Sequence, residues 1–427
     1  KYTERIPNRK VAMFAKELLS NNEVRAFLQS IFGNSKYLTQ LVFNNFEFFV
    51  EICKLGIDKN FENLIEEIAK IKPELLTKNQ LISETRIYKQ KCAMLIAIAD
   101  ISEHWDLKKV TNSLSLFADL MVKLVTKFLL INAKNNGQLK VNIKNPEKNS
   151  GLIVFALGKL GSNELNYSSD IDIMVLYDEN NKNYVGKSSR AQFFVHLTQE
   201  LTNILQTRTE KGYVFRTDLR LRPDPGSTPA AISISTAENY YETVGQNWER
   251  AAMIKIRLIA GDKIAAEKFL SFIKKYIWRK YLDFTSIQDI HSIKRQIEGK
   301  IGDLPKNLHG YNIKLGHGGI REIEFFVQTQ QLIWGGRENS LQVPATCEAL
   351  DALVKYGRVT KKAGKELKQA YCFYRNLEHR LQMIADQQTH SIPDDGKKLE
   401  EVAIFSKFKD EESFIKTVKN NILIVKS

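Results

Sequence analysis

Two aspartates spaced two apart, Asp170 and Asp172, stand in the β-rich run SDIDIMVLY. Strand alternation puts both carboxylates on one face, about 6.5–7 Å apart along the chain, with Ile171, Ile173 and Val175 on the other. Two adjacent anions disfavour one another and call for a cation. Flexing inward, such a pair can share divalent ions of the kind that two-metal phosphoryl sites hold roughly 3.5–4 Å apart. Upstream, Gly158, Lys159, Gly161 and Ser162 follow an apolar run and open a short helix. Glycines let backbone N–H groups approach phosphate oxygens, and a helix N-terminus favours anions. The turn is neither a Walker loop nor a G-x-G-x-x-G fingerprint, and its value comes from preceding a D-x-D strand. A third piece is YVFRTDLRLRP, Tyr213–Pro223. Read as a strand, it places Val214, Arg216, Asp218, Arg220 and Arg222 on one face. A carboxylate flanked by arginines suits a third metal ligand beside phosphate-binding guanidiniums. A solvated ladder of salt bridges would leave the D-x-D pair unexplained.

Lesser signals lie downstream. Lys255 and Arg257 would share a strand face and bind nucleotide or phosphate, or form a surface pair. Trp248, Glu249 and Arg250 suit packing and ion pairing. Arg321 and Glu324 stand i, i+3 on an expected helix and can pair, whereas Glu322 and Glu324, about 200° apart around it, cannot face one metal. Gly318–Gly319 suits either an anion site or a tight turn, and His379 and His390 read as structural.

The elements that must position these residues follow from periodicity. Helical spacing runs through Val11–Leu19, Phe46–Ile57, Phe61–Ile71 and Met94–Ile101, and a long helix is expected over Val110–Ala133. After the polar stretch Lys134–Ser150 come a strand at Gly151–Leu157, the Gly-rich turn, a strand at Ile171–Tyr177, a helix over Ser188–Lys211 closed by Gly212, and the strand Tyr213–Arg222. That order indicates an α/β domain. Helical patterning returns from Ile264, broken at Pro305, Gly310, Gly316–Gly319, Gly335–Gly336 and Pro344. The apolar periodicity of Phe414–Ser427 ends without a stop signal, as expected of one part of a longer polypeptide.

The 427 residues carry 63 Lys and Arg against 49 Asp and Glu, a formal charge of +14. That invites a nucleic-acid or other anionic partner, yet there is no basic block, and a general richness in Lys, Ile and Asn accounts for the excess as well. No apolar run approaches the ~18 residues of a membrane span, and the opening KYTERIPNRK has no apolar signal region. Cys53, Cys92, Cys347 and Cys372 show no paired spacing, which fits a reducing cytoplasm and neither a disulfide framework nor a zinc site.

A Gly-Ser turn, then SDID, then a later strand with a third Asp resembles the DNA polymerase β-like nucleotidyltransferase superfamily. GKLGSNELNYSSDIDIMVLYD, TDLRLRPDPGSTPAAIS, YYETVGQNWERAAMIKIRLIAGD, IKLGHGGIREIEFFVQTQQLIWGGRENSLQ and HRLQMIADQQTHSIP stand in the order seen in the glutamine synthetase adenylyltransferase/adenylyl-removing family. That resemblance spans roughly residues 95–395. GGIREIEF and DQQTHSIP are similar to its deadenylylating half; His317 departs from the family pattern and receives no catalytic role. The resemblance implies an α+β, predominantly helical fold: a polymerase β-like domain of mixed sheet at 116–275 between helical regions at 1–115 and 276–427. It implies Mg²⁺, with Mn²⁺ as the alternative, held by Asp170, Asp172 and Asp218. Phosphate would then remove AMP from adenylyl-tyrosine of glutamine synthetase as ADP. Gly158, Lys159, Gly161, Ser162, Ser169, Arg220, Arg222, Lys255 and Arg257 are the implied nucleotide- and phosphate-binding residues. Implied partners are adenylylated glutamine synthetase, the uridylylated PII signalling protein and phosphate, ADP or ATP, with no nucleic acid and no membrane. ATP-dependent adenylylation of a protein, or a catalytically silent docking module, are the rival expectations.

Overall fold

The computed structural model describes residues 20–280 and 308–427, with Met13 and Glu17. The helix expected at Val11–Leu19 and the break at Pro305 lie outside the described residues. Four short helices, α1 (Asn22–Asn34), α2 (Lys36–Asn44), α3 (Phe46–Leu55) and α4 (Ile57–Lys70), lead into two long ones, α5 (Lys78–Ile101) and α6 (Leu107–Asn135). Thr77 and Gln80 form a capping box at the start of α5, and the Asp106 carboxylate accepts from the Lys109 N–H to start α6. The boundary expected near residue 115 falls inside α6, whose apolar face continues across it. The first two expected units share one hydrophobic core, which runs from Leu28 to Ala260 and also takes in Met383 and Phe405.

The sheet is mixed, in the order β3–β2–β1–β5, with β4 also on β2. Strands β1 (Leu152–Ala156) and β2 (Ile171–Tyr177) run antiparallel around the short helix α7 (Gly158–Gly161). β3 (Thr217–Asp218) and β4 (Ala231–Ser233) run parallel to β2, and β5 (Arg257–Gly261) antiparallel to β1. Both faces are covered, so β1 and β2 read as continuous apolar runs rather than alternating ones. Val154, Ile171, Ile173 and Val175 face α5, α6 and α8 (Arg190–Gln206). Ile153, Phe155, Met174 and Leu176 face α9 (Ile234–Thr243), α10 (Asn247–Met253) and α11 (Lys263–Ile277).

Residues 308–427 build a second core from α12 (Ile320–Trp334), α13 (Thr346–Lys355), α14 (Lys361–Ala385), α15 (Gly396–Phe405) and α16 (Glu411–Lys426). Gly318 and Gly319 make the tight turn ahead of α12. The Gly318 N–H is taken by the Glu322 carboxylate at 3.0 Å, and a Cβ at Gly318 would stand 2.7 Å from the Ile422 carbonyl. Arg321 is exposed and does not pair with Glu324. Glu249 caps its own helix, Arg250 donates to the Ile277 carbonyl at 2.9 Å, and Trp248 is exposed. No described helix is long and apolar enough to cross a membrane.

Two sequence expectations are corrected. Helix α8 stops at Gln206 rather than near Gly212, because the buried Arg86 guanidinium collects the carbonyls at its end. It donates to Ile204 at 2.9 Å, to Thr207, and to Gly212 at 3.2 Å in the following turn. The strand expected over Tyr213–Arg222 is only Thr217–Asp218. The Asp218 carboxylate accepts from the Arg220 N–H at 2.8 Å, an Asx turn that ends pairing just ahead of Pro223 and Pro225. Arg86→Met keeps the bulk and donates nothing to these carbonyls. It is expected to lower unfolding free energy by roughly 3 kcal/mol, measured by urea denaturation; a loss under about 0.5 kcal/mol would show that other donors replace the guanidinium.

Candidate active site

The three aspartates meet at the N-terminal end of β2. Asp170 immediately precedes the strand, and Asp172 is the cross-strand partner of Asp218 on β3. The Ile171 N–H donates to the Arg216 carbonyl and the Leu157 N–H to the Asp172 carbonyl, both at 2.9 Å, which fixes β3 and the α7 turn around the acidic residues. Asp172 shares its side of the sheet with Met174 and Leu176. It is therefore more enclosed than Asp170 or Asp218, and burial, together with the charges of Asp218 and Asp170, pushes its carboxyl up to about 6. Gly158, at φ 53°, is what makes room: a Cβ there would stand 2.1 Å from Asp172 Oδ2.

The other two carboxylates hold arginines. Arg216 Nε donates to Asp170 at 2.6 Å, and its guanidinium also meets the Ser168 carbonyl and the Tyr213 hydroxyl. Arg220 chelates Asp218 through Nε at 2.9 and 3.0 Å. Burial raises the Asp218 carboxyl, but the hydrogen bonds and charge of Arg220 outweigh it and the net direction is down. The Arg220 side chain is 82% exposed, so it can leave Asp218 at little cost. A cavity of about 410 Å³ opens beside Asp170 and Asp218, lined also by Thr202, Gln206, Thr217 and Arg220. A larger one of about 1030 Å³ contains none of the three aspartates. The chemistry is assigned by the carboxylates rather than by cavity size.

Crowded carboxylate oxygens are what Mg²⁺ prefers, and the Asp172 carboxylate makes no hydrogen bond or ion pair among the described residues. As they stand, no three His, Cys, Asp or Glu groups among the described residues converge on one point. Asp170 and Asp218 are turned to their arginines; metal binding would exchange the exposed Arg220 contact at Asp218 and use the Asp170 oxygen that Arg216 does not hold.

Several expected phosphate-binding residues have their contacts elsewhere in this structure. Lys159 Nζ pairs with the fully buried Glu378 at 2.9 Å, and burial lowers its ammonium to about 8. The Ser162 hydroxyl donates back to the carbonyls of Gly158 and Lys159 at 3.2 and 3.3 Å. Gly161 serves packing, since a Cβ there would lie 1.9 Å from the Lys255 carbonyl. Arg222 donates to the carbonyls of Leu219, Pro225, Thr228 and Pro229 and so organises its own loop. Strand β5 begins at Arg257, so Lys255 lies in the preceding turn and the two share no strand face. Lys255 sits 3.6 Å from both Glu164 and Glu324, and Arg257 forks onto Asp119 at 2.6 and 3.0 Å. Ser169 is half-buried beside Asp170 and makes no hydrogen bond among the described residues.

Sequence reasoning missed the contribution of residues 308–427. From α14, Glu378 meets Lys159 and Asn166, and Arg375 donates to the Glu164 carbonyl at 2.6 Å. His379 Nδ1 and Nε2 lie 2.9 and 3.2 Å from Asp100 and Asn166, and His390 Nδ1 lies 2.7 Å from Glu378. Asp386, at φ 49°, accepts from the Ser168 hydroxyl. Lys314 is held on an Asn312 Asx turn, with the Ile313 N–H on the His390 carbonyl at 2.9 Å. That places its ammonium where its charge bears on Asp172, Lys159 and Glu324 together. It has no ion pair among the described residues. A lone lysine 96 or more residues from the aspartates carries no spacing signal.

Residues 26–272 match the family model for glutamate-ammonia ligase adenylyltransferase. The chain belongs to that family. Residues 291–427 also match the GlnD PII-uridylyltransferase model. Relatives named as bifunctional glutamine synthetase adenylyltransferase/adenylyl-removing enzymes include one from Bartonella quintana (strain Toulouse), 42% identical over 401 residues, covering 93% of this chain and 41% of the relative. One from Mesorhizobium japonicum is 42% identical over 417 residues, covering 97% and 42%. One from Rhodopseudomonas palustris (strain HaA2) is 43% identical over 392, covering 92% and 40%. The chain thus spans about two-fifths of the length of the family members it matches.

Crowding at Asp172 has a pH signature. Its carboxyl titrates near 6 when folded against 3.8 ordinarily, so the folded state binds the extra proton and stability falls as pH rises from about 4 to 6. In metal-free buffer, Asp172→Asn should exceed the parent by on the order of 2 kcal/mol at pH 7.5 and match it near pH 4. Thermal melts across that range would sink the idea if the difference were constant.

Proposed function

We propose that this chain removes AMP from adenylyl-tyrosine of glutamine synthetase by phosphorolysis, releasing ADP. The observation that carries the reading is the Asp172–Asp218 cross-strand pair beside Asp170, in a chain of this family. Phosphate attacks the adenylyl phosphorus, the bond to the tyrosine oxygen breaks, and the phenolate departs. A phenol of pKa ~10 is a tolerable leaving group, so no dedicated general acid is required. Asp170, Asp172 and Asp218 would hold Mg²⁺, with Mn²⁺ as the alternative; the ion supplies positive charge at the phosphoryl oxygens. Arg216 keeps Asp170 aimed at the site. Gly158 opens the space in front of Asp172. Lys314 and Arg220 are the cations positioned to receive phosphate oxygens, and orientation by these groups contributes to the rate.

GGIREIEF and DQQTHSIP favour the removing direction over addition. The match of residues 291–427 to a PII-uridylyltransferase model supports PII, in its uridylylated form, as the regulator, in a cytoplasmic setting. Incubation with adenylylated glutamine synthetase, Mg²⁺ and phosphate should yield ADP. Asp170→Asn and Asp172→Asn should each cut that rate by about two to three orders of magnitude. AMP incorporation from ATP, with no phosphate-dependent ADP, would reverse the direction; retained turnover in the double variant would remove the site. Lys314→Gln should raise KM for phosphate about tenfold or more, partly restored in Lys314→Arg, and an unchanged KM would exclude that contact.

A further inference from the structure

Cys347 and Cys372 lie 25 residues apart in sequence, on α13 and α14, yet their sulfurs are 3.9 Å apart, and both are free thiols. Both are half-buried and line the cavity of about 1030 Å³, which gives small solutes a path to them. The two thiols are not equivalent. They share a hydrogen bond in which either can donate, and the positive charges of Lys368 and Arg375 favour the thiolate at Cys372. Cys92, fully buried, is pushed up to about 12, and Cys53 is exposed but has no second cysteine in contact among the described residues. Cys372 is therefore the thiol with the largest anionic fraction near neutrality, and it has a resolving partner in contact. That pairing of an accessible, acidified thiol with a second cysteine is the chemical requirement of a peroxide-reactive site.

We propose that Cys347 and Cys372 form an oxidisable dithiol that hydrogen peroxide converts to an intramolecular disulfide. The Cys372 thiolate attacks a peroxide oxygen, the O–O bond breaks, and the departing hydroxide takes a proton to become water, leaving a sulfenic acid. The Cys347 thiolate then attacks that sulfur and displaces a second hydroxide, which leaves as water. Two thiols and one peroxide give one disulfide and two waters. The sulfurs must close by roughly 2 Å to bond, and Cys347 stands in the first turn of α13, next to the Pro344–Ala345 connection. Thr346 and Tyr371, the residues just before the two thiols, both hold the Glu164 carboxylate, at 3.1–3.3 Å and 3.2 Å. The disulfide would therefore tie α13 to α14 on either side of the anchor of the β1–β2 turn.

The test is peroxide treatment of the folded chain, alkylation of the remaining thiols, and peptide mapping. A Cys347–Cys372 linked peptide that forms under native conditions and disappears with dithiothreitol is expected. Cys347→Ser should instead accumulate a dimedone-reactive sulfenic acid at Cys372, whereas Cys372→Ser should leave Cys347 reduced at the same dose. A linked peptide that forms only in urea, or Cys53 oxidised while Cys372 still alkylates, would overturn the proposal.

Discussion

A carboxylate with no exposure to solvent, that of Glu378, is the constraint around which the three-aspartate site is arranged. Burial raises such a group, yet Lys159, His390 and Arg375 together drive it well below the usual carboxylate range. Removing a single partner would leave net charge in a low-dielectric interior, which costs several kcal/mol. The partners are spread over three places: the turn after β1, the helix α14 itself, and the segment that carries His390. Satisfying Glu378 therefore fixes where the turn lies against the C-terminal helices, and that turn sets the space in front of Asp172.

The site shows the opposite electrostatic condition. Behind the β1–β2 turn the buried charges of Glu378, Lys159 and Arg375 are matched; in front of it the Asp172 carboxylate has no ion pair among the described residues, and its neighbours lean on arginines. That buried network supports a small group of carboxylates whose mutual repulsion an incoming cation would relieve further than the charges of Lys314 and Arg220 do. Such local destabilisation persists because the scaffold over-determines it. The asymmetry between Arg216, tucked under Tyr213 and Ser168, and Arg220, standing in solvent, divides one arginine for positioning from one free to exchange.

Features set by local pattern were legible in the sequence. The D-x-D strand, the Gly-rich turn before it, the long α6 and the buried runs of β1 and β2 all follow from periodicity and residue type. Where the reading went astray, a side chain had reached out of its own segment. Arg222 looked like a phosphate ligand because alternation placed it beside Asp218, but an Asx turn ended the strand and its guanidinium found four carbonyls. Arg257 and Lys159 looked free because Asp119 and Glu378 are distant in sequence. Cys347 and Cys372 looked unrelated for the same reason. Lys314 stands inside a segment that carried the family resemblance, but nothing in its spacing tied it to the aspartates, since only the docking of the C-terminal segment gives it a neighbourhood.

Along α14, Glu378, His379 and Arg380 are three consecutive buried residues: Glu378 meets Lys159, Asn166 and His390, while His379 and Arg380 both reach back to Asp100 on α5. A helix with an exposed side can be lost or exchanged during evolution and its neighbours will repack; one enclosed on every side acts as a shared keystone. Gene rearrangements that separated the β1–β2 turn from α14 would strand a lysine on one fragment and a glutamate on the other. The heritable module is thus the sheet together with these helices, and recombination that preserves activity has to move them as one piece.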